Sequence, residues 1–300
     1  LRTRQRGMQN WDGKIKYITK TGQFKIGLLP SVYKRCIELG IKPIIVDMRQ
    51  PLPKVSKVVT QIGKYKLRPE QEKAVKAILS NKLGETPFQI GVLDYTVNAG
   101  KTLIMSALYL SYKKQLKTLL ITNDSDWLNQ ARDEFKQYLP GEDITFVQGK
   151  VLNWSNFTIG MVQSISRNMK YYQNELAKID MVLIDEADQG GSKQYQNVIT
   201  RLFNTRVRIG LSGTIYMSKL AKDKVKNMNL RCFFGDVLAE FKLKDSIKKG
   251  YSTKTIVKTV EGKPWFGNWE SDCMSYNEIY DDSITNNKIA WTMALDRLKW

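Results

Sequence analysis

The stretch Ile90-Gly-Val-Leu-Asp-Tyr-Thr-Val-Asn-Ala-Gly-Lys-Thr102 decides the fold, because an apolar run breaks into a small-residue turn that ends on Gly-Lys-Thr. Residues 90–95 predict a strand, and the apolar residues of 103–112 predict a helix directly after the turn. A turn between strand and helix aims backbone N–H groups and the positive helix end at one point, which suits a phosphate. The N–H groups of Asn98, Ala99, Gly100, Lys101 and Thr102 would then hold a β-phosphate of ATP. Lys101 would offset the charge of the β and γ oxygens, and the Thr102 hydroxyl would coordinate Mg2+. Tyr95, Thr96 and Val97 complete the expected ATP-binding loop, with Tyr95 standing where the strict phosphate-loop pattern has its first glycine. A bare Gly-Lys-Thr also occurs at ordinary helix starts, so a second element has to carry the reading.

That element is Met181-Val-Leu-Ile-Asp-Glu-Ala-Asp188, an apolar strand that delivers adjacent carboxylates at its C-terminal end, where open α/β sheets bind ligands. Asp185 suits Mg2+ held partly through water, and Glu186 suits the base that orients and deprotonates an attacking water. An acidic cap after a strand would explain one or two carboxylates but not the four apolar residues before them. A third strand end, Gly210-Leu-Ser-Gly-Thr214, is a plain turn by itself. In this order Ser212, Gly213 and Thr214 can bond Asp188 and relay the state of a γ-phosphate, so Lys101, Asp185 and Glu186 form the expected catalytic set.

Working outward, residues from about 65 to 215 alternate apolar strands with amphipathic helices, the pattern of a parallel sheet covered on both faces, within a domain expected over 59–252. Further strands are expected at 118–122, 157–162 and 207–212, and a helix at 127–138 with Asp124 or Ser125 as its cap. Residues 1–58 read as a small α+β domain, with strands over 14–18 and 24–29 and a helix over 32–39 capped by Ser31. The segment 47–57, with Pro51 and Pro53, reads as a linker. Beyond 252 a strand-like run to 260, a stretch with Trp265 and Trp269, and a helix over 286–300 predict a second domain that is only begun.

The formal charge is +19, and residues 1–66 hold 15 Lys or Arg against three acidic residues, a net +12. So concentrated a bias points to a polyanion, with a merely solvated basic surface as the alternative. Trp11 would stack on a base or sugar, or else plug the small domain's core. Lys14 and Lys16 are candidate phosphate contacts. There is no histidine, and the three cysteines are far apart, which argues against zinc and histidine chemistry. No apolar stretch is long enough for a membrane helix, and the N-terminal residues lack a secretory pattern, so a cytoplasmic location, or a host's cytoplasm for a viral protein, is expected.

These elements, in this order, resemble the first RecA-like domain of superfamily 2 helicases of the Asp-Glu-Ala-Asp type. Leu67-Arg-Pro-Glu-Gln-Glu-Lys-Ala74 resembles that family's adenine-reading segment, which assigns the role to Gln71 together with Arg68. The segment 122–130 resembles one that touches the phosphates of the tracked strand, with Asn123, Asp124 and Gln130 as contacts, and 160–164 resembles the next, with Gln163 and Ser164. Asn10-Trp-Asp-Gly-Lys-Ile-Lys16 and the following Gly27-Leu-Leu resemble the N-terminal domain of UvsW-type phage helicases, as do residues 209–215 and 234–243 their first motor domain. The resemblance implies an ATP- and Mg2+-dependent DNA helicase that acts, as a monomer, on single strands and on branched duplex such as forks, junctions and RNA–DNA loops, in phage replication and recombination. Asn98 and Asn123 depart from that pattern, where Gly or Ser and Pro are common. Two other readings stay open on the residues: a nucleic-acid-binding or strand-annealing protein with a nucleotide switch, and a double-strand translocase of a restriction or packaging system.

Overall fold

The structure is a computed structural model that describes residues 15–149, 151–216 and 221–254, all within one compact unit. The expectations for Trp11, for Lys14 and for the chain beyond 254 lie outside the described residues.

The front of the described chain has an antiparallel bridge between Ile18 and Phe24, a tight turn at Ile26–Leu28 and helix α1 (Leu29–Glu38). The strand expected over 24–29 is therefore this turn and the first residue of α1. Pro30 explains the difference, since its fixed φ and missing N–H suit a first helical turn, and Ser31 lies inside the helix instead of capping it. Close approach sets the turn. A Cβ on Gly27 would lie 2.2 Å from the Arg231 carbonyl oxygen and 2.7 Å from the Gly235 nitrogen, so only glycine lets this segment seat there. Residues 41–58 form no helix or strand, as their prolines predict. They are held by Asp47, which pairs with Arg49 at 2.7 Å and Arg206 at 3.3 Å, while Arg206 also donates to the Gln50 carbonyl at 2.9 Å.

Two short hairpins, β1 (Gln61–Ile62) with β2 (Tyr65–Lys66) and β3 (Lys82–Leu83) with β4 (Thr86–Pro87), bracket α2 (Pro69–Leu79). The alternation then runs β5 (Ile90–Tyr95), α3 (Lys101–Ser111), β6 (Thr118–Thr122), α4 (Ser125–Tyr138), β7 (Ile144–Gln148), β8 (Val151–Leu152), β9 (Phe157–Met161), α5 (Val162–Arg167) and α6 (Met169–Leu176). It continues through β10 (Met181–Asp185), α7 (Lys193–Ile199), β11 (Val207–Ser212), α8 (Ala221–Phe234), β12 (Val237–Phe241) and α9 (Leu243–Lys248). The strands form one sheet in the order β12-β5-β11-β10-β6-β9-β7-β8, parallel throughout except for the antiparallel edge pair β7 and β8.

All five strands expected from apolar runs are present, and Asp124 is the cap of α4, accepting from Asp126 N–H at 2.8 Å. Side chains alternate across the sheet: Leu93, Leu120 and Leu183 join the core under α2, α3 and α4, whereas Val92, Ile121 and Ile184 join the one under α5, α7 and α8. Burial on both faces is why the central strands read as unbroken apolar runs. Helix α3 is buried nearly all round, wedged behind the turn that precedes it. β7 and β12 escaped the sequence reading because they lie at or near the edges and are only partly buried, so each mixes polar with apolar residues, and β8 is only two residues long.

Candidate active site

The carboxyl ends of three adjacent strands, β5, β11 and β10, meet at the turn that opens α3. The turn needs left-handed backbone twice, at Asn98 (φ 63°) and Gly100 (φ 72°). Asparagine tolerates it, and glycine adopts it freely. A Cβ at Gly100 would also lie 2.3 Å from the Gln71 side-chain nitrogen, so a larger residue would have to displace the amide that bonds the Ala99 carbonyl. Thr96, Val97 and Ala99 complete the turn, with Val97 exposed and Ala99 buried. Tyr95, in the position of the pattern's first glycine, does not enter the turn. It ends β5 fully buried, and its hydroxyl donates to the Glu70 carbonyl at 2.7 Å.

Lys101 begins α3, and its Nζ lies 3.2 Å from Asp185 Oδ1 at the end of β10. The two groups are ion-paired but not aligned as a hydrogen bond, which leaves Oδ1, shut away from solvent, without a donor. An orphaned buried carboxylate oxygen is costly unless a cation is its intended partner. Thr102, also buried, follows Lys101 into the helix. Among the described residues no cluster of three or more carboxylate or cysteine side chains could hold a metal alone. The Asp185 carboxylate and the Thr102 hydroxyl are a donor set that Mg2+ accepts, because it keeps waters and takes phosphate oxygens as its other ligands.

Glu186 sits in the left-handed region at φ 51° and ψ 49°, a strained geometry for a non-glycine residue that turns its carboxylate out of the strand direction. Burial first, then the nearby charges of Asp185 and Asp188, push its carboxyl above the ordinary value, with Lys101 opposing and Asp124 adding a little. Asp188 accepts a hydrogen bond from the Ser212 hydroxyl at 2.9 Å, and the Thr214 N–H donates to the same Ser212 oxygen at 3.1 Å. Gly213 lets this turn close on the loop: a Cβ there would stand 3.1 Å from Thr96 Cα. The ends of β10 and β11 are thus bonded to each other and pressed against the start of the phosphate loop.

From the other side α2 ties down the same loop. Gln71 accepts from the Arg68 N–H at 2.8 Å and donates to the Ala99 carbonyl at 2.9 Å, while Arg68 donates to the Asn98 carbonyl at 3.2 Å. The strand-tracking candidates lie further along the same sheet edge, after β6 and β9. Gln163 donates to the Asn123 carbonyl at 3.2 Å, and Ser164 accepts from Gly149 N–H at 3.0 Å. Asp124 uses its carboxylate to cap α4, and Gln130 faces Glu134 at 3.0 Å on that helix's exposed side. Lys16, the described member of the front basic set, is exposed and lies outside this cluster. Residue patterns gave no hint of Tyr195, fully buried on α7 with no hydroxyl partner, nor of Lys242, which pairs with buried Asp94. A carboxylate one residue before the end of apolar β5 was the available signal for the latter.

Residues 64–217, just over half of the chain, match the family described as "Type III restriction enzyme, res subunit". The chain is 23% identical to the ATP-dependent DNA helicase uvsW of Enterobacteria phage T4, over 84% of this chain and 51% of that protein. It is 26% identical to the ATP-dependent RNA helicase L396 of Acanthamoeba polyphaga mimivirus, over 49% of this chain and 27% of that one. The chain thus spans about half the length, or less, of these curated relatives. The crystal structure of the UvsW helicase from Bacteriophage T4 shares the fold with a TM-score of 0.60 at 22% identity, covering 77% of this chain and 84% of that one. The matched span includes the phosphate loop, the Asp-Glu-Ala-Asp strand end and the Ser-Gly-Thr turn on one sheet edge, and with it the chain belongs to the type III restriction enzyme res-subunit family of superfamily 2 helicases.

Proposed function

We propose that this chain is the ATP-hydrolysing front part of a DNA helicase that remodels branched DNA. The observation that carries the reading is the meeting of Lys101, Asp185 and Glu186 where β5, β10 and β11 end, with Ser212 bonded to Asp188 beside them. Lys101 leaves Asp185 to bind the β and γ oxygens, and loop N–H groups hold the β-phosphate. Thr102 and, through water, Asp185 would hold Mg2+, which offsets phosphate charge when bound. Glu186, with its raised affinity for a proton, takes one from the attacking water as its oxygen bonds to the γ-phosphorus. The bond from that phosphorus to the bridging oxygen breaks, leaving ADP and phosphate. Arg68 and Gln71 face the adenine, and the Asp188–Ser212–Thr214 chain carries the change outward.

DNA is the substrate favoured by the relative named as a DNA helicase and by the +12 charge of residues 1–66. In this reading residues 1–58 grip duplex and residues 59–252 hydrolyse ATP. Asn123, Gln163 and Ser164 would touch the tracked strand. Among the described residues no helix is long and apolar enough to cross a membrane. DNA-stimulated ATPase in the full-length protein tests the proposal: Glu186→Gln should lower kcat by about 10²–10⁴-fold, and equal rates in the two proteins would sink it. Strand displacement on forked against linear duplex tests the branch preference.

A further inference from the structure

The chain leaving α9 returns to the nucleotide site. Gly250, in left-handed backbone at φ 72°, ends the helix, and Tyr251 N–H donates to the Ser246 carbonyl at 2.9 Å. This turn lays the Tyr251 ring under the Arg68 guanidinium, 4.3 Å from its carbon to the ring centroid. Two residues earlier, Lys249 Nζ lies 2.8 Å from Glu70 Oε2, and Glu70 Oε1 lies 3.4 Å from Arg68 Nε. Glu70 is almost fully buried, and Oε1 has no hydrogen bond.

Arg68 is thus held at three points: the Tyr251 face, the Glu70 carboxylate and the Asn98 carbonyl of the phosphate loop. A guanidinium free to rotate would stack poorly on a base. One clamped flat presents a fixed plane at low entropic cost. Lys249 completes the clamp by sharing the Glu70 charge, which would otherwise pull Arg68 toward itself. From this geometry we infer that Tyr251 and Lys249 are positioning residues for the nucleobase, setting affinity and preference for a purine nucleotide through Arg68. The inference rests on the proposed ATP site and adds a wall to it from a segment about 150 residues away in sequence.

Equilibrium binding of a fluorescent ATP analogue to the full-length protein, displaced in turn by ATP, UTP and tripolyphosphate, tests it. Tyr251→Ala should weaken ATP about tenfold while changing UTP and tripolyphosphate less than about twofold. Tyr251→Phe, which keeps the ring, should bind ATP as the parent does, and Lys249→Met should shift ATP in the same direction as the alanine variant. Equal weakening of ATP and tripolyphosphate would show a merely structural role and overturn the inference, as would unchanged ATP affinity in Tyr251→Ala. Failure of the parent to bind the analogue, or undiminished binding by Lys101→Ala, would instead overturn the ATP site itself.

Discussion

Glu186 joins two unfavourable features in one residue: a left-handed backbone and a carboxylate crowded by Asp185 and Asp188. Its proton affinity is raised, so the ionised base is lost as pH falls through a value above the ordinary 4.5. The acid limb of the kcat profile should therefore lie above that value. Asp188→Asn, which removes one of the repelling charges, should move the limb downward even though kcat itself falls. A pH series on both proteins checks this, and a limb that stays put would remove Asp188 from the cause. That Asp185, Glu186, Lys101 and the Ser-Gly-Thr turn lie at strand and helix ends on one sheet edge was legible in the sequence, because each borders an apolar strand or helix in a spaced pattern. Tyr251 and Lys249 were not, since an aromatic and a lysine after a short helix carry no pattern and meet Arg68 and Glu70 only through the fold.

Among elements, the turn at Ile26–Leu28 and the segment after α1 show how the front of the chain is attached. Gly27→Ala would force the turn off the end of α8, where carbonyl oxygens stand too close for a methyl group. A loss of about 1–3 kcal/mol is expected in denaturant unfolding, as for other overpacked sites. Asp47 is a second anchor. The hydrogen bond from Arg49 chiefly, with the charges of Arg49 and Arg206, holds its carboxyl below the ordinary value despite partial burial. A depressed carboxylate contributes stability above its unfolded pKa and loses it as pH falls through the folded one. Asp47→Asn should thus cost about 1–2 kcal/mol at neutral pH and nothing once the parent's carboxylate is protonated, which paired melts at neutral and strongly acid pH would show. The central strands were readable because burial on both faces erases polar residues from them. The turn at 26–28 was misread as strand because its apolar run is set by packing against α8, which periodicity does not encode.

For the whole molecule, the charge is the largest feature that the nucleotide site does not use. Lys20, Lys34 and Lys42 are exposed on the front of the chain. If they meet phosphates, replacing all three by Gln should flatten the log–log salt dependence of duplex binding by about 0.9 for each phosphate no longer neutralised. Titrations at several salt concentrations would read this directly, and an unchanged slope would mark these charges as solvating only. The seat of Gly27 on the end of α8 has a mechanical side too. Just past that seat the Val92 N–H bonds the Asp236 carbonyl, and Val92 lies in β5, the strand that precedes the phosphate loop. If the front of the chain holds DNA as proposed, a load on that DNA has a direct route, through the Asp236–Val92 bond and along β5, to the proposed ATP site.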